Sequence, residues 1–233
     1  MKIKIIITSI LLSAVYCSFA QEKKSTAKFM SLGPVAGWGH SWINNGKYPG
    51  GDKQLFKPVL QLGVSFIYSR KEHWGFGGDG VISHEGYKSV LGYPLVLVLR
   101  QTNPYANPMF EHIAIHPVYA RIRPKFYYFF GSYRHTVRPK VFVGPSVGYK
   151  LDEIWYIDGE ETDKSLQSAT GEIYKKMDVG GLIGLGLNIR LTKSSWLNID
   201  GNYYHGFMNV SKHNGFNIQN RHLKLTAGVM LGI

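Results

Sequence analysis

The strongest constraint on this chain is a two-residue alternation that is clearest at 177–192. Met177, Val179, Ile183, Leu185, Leu187, Ile189 and Leu191 fall on one parity. Asp178, Gly180, Gly184, Gly186, Asn188, Arg190 and Thr192 fall on the other, with Gly181 and Leu182 as the only exchanges. Successive side chains of a strand point to opposite faces, so this run is a strand with one apolar face and one polar or small face. Either face could be the buried one. The number of times the pattern recurs, and the segment that precedes it, decide between them.

The preceding segment reads as a secretory signal peptide over residues 1–20. Lys2 and Lys4 form a basic start, 5–15 is apolar, and Ser18-Phe19-Ala20 supplies a small-x-small cleavage site before Gln21. The apolar stretch is shorter than the ~20 residues a spanning helix needs. A lipoprotein reading would anchor the chain through Cys17, but Tyr16 stands where a small residue is wanted. Cys17 is the single cysteine, so cleavage leaves a chain at 21–233 without disulfides. That remainder reads as one large all-β domain, rich in Gly (27), Tyr (15) and Phe (12). The net charge of +12 is spread along the chain rather than gathered in a stripe, which argues against nucleic acid as a partner. Outer-membrane lipid and lipopolysaccharide, with their phosphorylated headgroups, are the expected counter-charge.

Eight segments carry the alternation: near 32–42, 58–70, from Trp74, within 111–130, 138–151, 177–192, 196–208 and 223–233. Their connections alternate in length. Residues 69–73 and 192–195 are short, whereas 43–57, 152–175 and 209–219 are long and polar. Tight turns at one end and long loops at the other are what an outer-membrane barrel shows. Trp74 and Trp196 each open a strand after a short turn, and Tyr149 and Phe207 sit at the other ends of theirs. All four are expected in aromatic girdles at the membrane interfaces. The region 84–138 is harder to read, because Pro104, Pro108, Pro117 and Pro124 interrupt it and Pro is poorly tolerated within a paired strand. An extra hairpin there would make ten strands; eight is the expectation. A soluble β-sandwich also alternates, but it has edges to protect and buries its apolar face. The reading is therefore an all-β, single antiparallel up-and-down transmembrane β-barrel with both termini periplasmic.

Val137-Arg138-Pro139 through Phe142-Val143-Gly144-Pro145-Ser146-Val147-Gly148-Tyr149, the Gly-rich run at 179–190, Tyr203-Tyr204-His205-Gly206 and the final hairpin resemble the PorT-like outer-membrane β-barrel proteins of Bacteroidota. Ile115-His116-Pro117-Val118-Tyr119 is similar to the proline-bearing strand of that family. The resemblance covers most of 29–233. It implies an eight-stranded outer-membrane barrel and, through the family's name-giving member, a part in protein secretion. The chain departs from such barrels in ending at Ile233 rather than at an aromatic residue.

An eight-stranded barrel is just wide enough for side chains to fill its interior. Lys140, Lys150, Asp178, Asn188, Arg190, Asp200 and Lys224 share the interior parity and are expected to form a structural polar network. His112 and His116 lie four apart, about 13 Å along a strand at ~3.3 Å per residue, too far to chelate one ion. The nine histidines form no ligand motif. The sets His205, Asp200 and Ser211, and His84, Ser83 and Glu85, are the only triples worth weighing for a lipid-modifying enzyme, and neither matches a catalytic motif. No catalytic residue, metal or cofactor is expected. The acidic stretch 152–175, with Trp155, Tyr156, Asp158, Glu160 and Glu161, is read as a solvated external loop that could meet a partner. The expected role is thus a non-enzymatic scaffold or binding module in the cell envelope, with other envelope or secretion proteins as partners.

Overall fold

The computed structural model describes residues 29–45, 54–69, 71–90, 112–132, 135–157, 159–161, 172–212 and 217–233. The signal-peptide reading at 1–20 and Asp158 lie outside them. Eleven strands follow in chain order: β1 (Phe29–Asn45), β2 (Gln54–Leu55), β3 (Pro58–Ser69), β4 (Trp74–His84), β5 (Tyr87–Val90), β6 (His112–Phe129), β7 (Val137–Ile157), β8 (Glu160–Glu161), β9 (Met177–Arg190), β10 (Ser195–Gly206) and β11 (Ile218–Gly232). Every pairing is antiparallel. The ladder runs β6-β4-β3-β1-β11-β10-β9-β7, and β6 also pairs with β7, so the sheet closes on itself. Eight staves form the barrel, β5 continuing β4 along β6. Closure leaves the barrel wall with no free edge, so strand pairing can satisfy its backbone groups even in lipid.

The register follows the alternation. In β9 the interior takes Asp178, Gly180, Leu182, Gly186 and Asn188, while Ile183 and Leu185 point outward and are 60% and 68% exposed. Leu60, Leu62, Val64, Ile82, Ile122, Val143, Leu223 and Leu225 join them in an outward apolar band. A soluble sandwich would bury that face. Here it is the polar face that is buried, which water could not favour and lipid does.

The prolines in the harder region do not break the wall. Pro117 and Pro124 both lie inside β6, an unbroken 18-residue strand. The local ladder gives way instead. The register with β7 shifts between Val118 and Tyr119 just after Pro117, whereas around Pro124 the register is kept and pairing is interrupted between the Ile122–Val147 and Phe126–Val143 pairs. On the other side of β6, the stave bends at Glu85 and Gly86, where Glu85 donates its backbone N–H to the Pro117 carbonyl at 3.0 Å. Gly86 takes a φ of +95°, a conformation glycine adopts without steric cost.

The lumen is filled from both ends. Toward the short turns, Ile67, Tyr127, Phe129, Phe142, Leu182, Trp196, Tyr204 and Met230 form a buried cluster. Small residues make room for it: a Cβ on Gly184 would meet the Phe142 ring at 2.3 Å, and one on Gly180 the Tyr204 ring at 2.6 Å. Leu182 is thus no exchange of parity. It is an interior residue of an apolar layer. Toward the long loops, Ile43, Ile115, Trp155, Tyr174, Val210 and Ile218 form a second buried cluster. Two loop segments build that cap. Tyr174 bridges Ser211, Lys175 donates its N–H to the Val210 carbonyl at 2.7 Å, and Lys212 donates to that of Ile173 at 2.8 Å.

Candidate functional site: the charged lumen and its outer cap

Below the cap the lumen holds buried charge, part of it interleaved with the turn-end cluster. Arg121 on β6 is its hub. Its Nε donates to Glu85 Oε1 at 2.6 Å, and one terminal nitrogen reaches Glu85 Oε2 and Asp178 Oδ2, each at 2.5 Å. The guanidinium also lies over the Tyr119 and Tyr204 rings, at 4.8 and 4.5 Å. Asn220 donates to Asp178 at 2.9 Å. Lys224 bonds Ser83 and approaches Glu85 Oε1 at 3.6 Å. A second group lies nearer the turns. Lys125 pairs with Asp79 at 2.5 Å, Lys140 pairs with Asp200 at 2.9 Å, and Asn198 donates to Asp200 at 2.9 Å. Planar guanidinium donors and tight ion-pair geometry offset much of the desolvation cost, so a buried pair of this kind adds little net stability although breaking it from one side is costly.

The cap is fastened by Glu153 on β7. Its carboxylate accepts from Lys150 at 2.7 Å, from Trp155 Nε1 at 3.0 Å, and from the backbone N–H groups of Ile173 and Tyr174 at 3.0 and 3.1 Å. Four donors on one carboxylate hold the loop segment 172–176 across the mouth. On the outside of the cap, Lys212 bonds Glu172 and Lys150 approaches it at 3.3 Å. The Lys212 ammonium, with Lys150 behind it, holds the Glu172 carboxyl below the usual carboxylate range.

Of the interior residues expected from sequence, Lys140, Lys150, Asp178, Asn188, Asp200 and Lys224 are buried. They do not form one network. Lys140 and Asp200 belong to the lower group, Asp178 and Lys224 to the Arg121 hub, and Lys150 to the cap. Arg190 is only half-buried, stacked on the Trp196 ring at 4.8 Å near the turn end of β9. Among the girdle residues, Trp74 is 48% exposed and packs on Phe126 and Tyr128 at 5.3 and 4.8 Å. Tyr149 and Phe207 are also exposed, toward the loop end.

Trp196 is a correction. It is buried in the lumen cluster because it shares the parity of Asn198 and Asp200, so its place after a short turn does not put it at the interface. Trp155 is a second correction. β7 runs on to Ile157, so 152–157 is strand rather than loop, and Trp155 turns into the cap where its N–H meets Glu153. Tyr156 stays half-buried against His116, at 4.6 Å, and Glu160 and Glu161 are exposed on β8 beside it. Neither histidine triple converges. Ser83 and Glu85 are buried while His84 is exposed on the opposite parity, and Asp200 points inward while His205 lies on the outward parity with Tyr203.

The sequence reading missed Arg121, Asp79 and Lys125, weighed Glu85 only in a histidine triple, and placed Glu153 in an external loop. The signal was present in β6, where Arg121, Arg123 and Lys125 alternate with Ile122, Pro124 and Phe126. The prolines obscured a period of two that the basic residues kept.

The family model described as outer membrane protein beta-barrel domain matches residues 50–212 of this chain. The chain belongs to that family. The match leaves out β1 and β11, the two strands whose pairing closes first and last chain segments together. Among solved structures, the chain is similar to the outer membrane protein OprG from Pseudomonas aeruginosa, with a TM-score of 0.50, 14% identity, and 89% and 96% of the two chains covered. It is also similar to Neisserial surface protein A (TM-score 0.46, 13% identity, 91% and 100% covered). A third is the attachment invasion locus protein Ail of Yersinia pestis (TM-score 0.42, 13% identity, 87% and 99% covered). At 14% identity, OprG speaks to the fold alone. None of the curated proteins matches the chain. As an outer-membrane β-barrel family member, the protein places its apolar band against lipid and its charged layer in a closed interior.

Proposed function

We propose that this barrel is a non-enzymatic scaffold or binding module of the outer membrane, acting through its rims rather than through its lumen. The observation that carries the reading is the double closure of the interior: an apolar layer at the turn end and the Tyr174–Trp155 cap at the loop end, with salt-bridged side chains between them. A filled eight-stranded barrel offers no aqueous diffusion path. What remains available to a partner is the tall β6–β7 wall. β7 alone has 21 residues, whereas a transmembrane strand needs about 9–11. Its upper part carries exposed Asp152, and β8 paired beside its end carries exposed Glu160 and Glu161.

On this reading residues 1–20 are the export signal, the termini and short turns face the periplasm, and the cap faces outward. The PorT-like resemblance favours an envelope or secretion protein as the partner, with outer-membrane lipid and lipopolysaccharide around the wall. The test has two arms. Barrels reconstituted in liposomes should give no solute-dependent swelling; swelling by small sugars would overturn the closed-lumen argument. Affinity capture from native outer membranes should recover secretion or envelope components, and Glu160→Lys with Glu161→Lys should release them. Capture unchanged by that pair of substitutions would move the partner surface elsewhere.

A further inference from the structure

The buried charges of the lumen do not balance, and the imbalance is local. Lys125 and Lys140 face Asp79 and Asp200, and Lys150 faces Glu153. The Arg121 hub is different. Lys57, Arg121, Arg123 and Lys224, all at most 2% exposed, share Glu85 and Asp178 and, across the strand pair from Arg123, Asp79, which Lys125 already occupies. Arg121 already occupies Glu85 and Asp178. Lys57 is held by the backbone carbonyls of Glu85 and Ile115, which carry no charge to oppose its own. Arg123 donates to the neutral amide of Gln61 at 2.8 Å, and its Nε has no hydrogen-bond partner among the described residues. Both ring nitrogens of His222, beside Glu85, likewise have none. Buried cations are normally paired, and buried donors are normally bonded.

We propose that this cluster binds a small monovalent inorganic anion such as chloride, seated against Arg123 and Lys224. The ion opposes the surplus cationic charge and accepts from the donors the protein leaves open. Its size follows from its position. The apolar layer and the cap close the lumen above and below, so the ion is enclosed during folding and no bulky organic anion fits. The role is structural: an anion bound by the folded barrel and not by the unfolded chain raises the unfolding midpoint by mass action.

The experiment compares thermal unfolding of the folded chain in detergent micelles in sodium chloride and in sodium gluconate at matched ionic strength. Chloride at about a hundredfold its dissociation constant should raise the midpoint by roughly 5–10 °C, and the rise should saturate. Arg123→Gln should remove the chloride-specific rise while the barrel keeps its unboiled gel mobility. Lys193→Gln, an exposed turn change, should leave it intact. Equal midpoints in the two salts, or a rise retained in Arg123→Gln, overturns the proposal. If Arg123→Gln does not fold, crystals of the unaltered chain grown in bromide decide the matter. An anomalous peak in the lumen beside Arg123 supports the site, and bromide confined to the exposed surface refutes it.

Discussion

Arg121 is the interior residue whose loss should be felt most. Replacing it with Met keeps much of the side-chain volume beside Tyr119 and Tyr204, but removes the cation–π contacts with both rings and three charge-assisted hydrogen bonds at 2.5–2.6 Å. Breaking a buried pair from one side costs about 3–5 kcal/mol, because the partner charge stays buried without compensation. Here one guanidinium serves two carboxylates, but Lys224 stands 3.6 Å from Glu85 and Asn220 still donates to Asp178, which offsets part of the loss. We expect about 3 kcal/mol for Arg121→Met. With a urea dependence of about 1–3 kcal/mol per molar, that is a midpoint shift of roughly 1–3 M. Arg121→Lys should lie between, since an ammonium keeps the charge but not the fork that reaches Glu85 and Asp178 together. The combined Arg121→Met and Asp178→Asn variant should regain part of the loss, because Arg121 is the ion-pair partner of Asp178, whereas Lys224 still stands beside Glu85. The assay is urea unfolding in micelles, followed by the unboiled gel shift and tryptophan emission. A change below about 0.5 kcal/mol for Arg121→Met, or a double variant no better than the single one, would refute the view that Arg121 serves both carboxylates.

Three further outcomes follow from the same structure. Leu185→Arg puts a charge on the lipid face and should destabilise the barrel in bilayers by about 2–4 kcal/mol, whereas Leu191→Arg at the turn should cost about 1 kcal/mol or less; equal costs would argue against a bilayer around this band. Trp196→Ala empties the turn-end layer and should cost about 3–5 kcal/mol; a near-neutral result would return Trp196 to the interface. The Glu172 carboxyl should titrate below its ordinary value of 4.5, and Lys212→Met should move it back toward that value, as read from its carboxyl carbon shift by NMR. Because the folded value is depressed, the latch contributes above pH 4.5 and is lost as pH falls through the folded midpoint.

The architecture was legible because closure and alternation are written into every stave. The eight apolar parities and the short turns survive among the described residues, including the run at 177–192. Two kinds of information were not legible. Girdle membership was inferred for Trp196 from its position along the chain, when its parity with Asn198 and Asp200 was the better guide. The pairing of interior charges depends on strand tilt and on distant staves. Glu85 and Arg121 are 36 positions apart, and Arg121 and Asp178 are 57 apart. No local pattern announces such contacts. Trp155 was missed for a further reason: β7 continues past the membrane-length limit, so an acidic stretch that reads as loop is the top of a strand.

The central claim is that one parity of each strand faces lipid and the other a closed, polar lumen. Nitroxide labels on single cysteines along 222–227, introduced into the chain lacking Cys17 and reconstituted in bilayers, test it most directly. Collision with dissolved oxygen should be high at 223, 225 and 227, and low at 222, 224 and 226, where neither oxygen nor a water-soluble relaxant should have access. A flat profile, or high access for the water-soluble relaxant at 222, 224 and 226, would contradict the account.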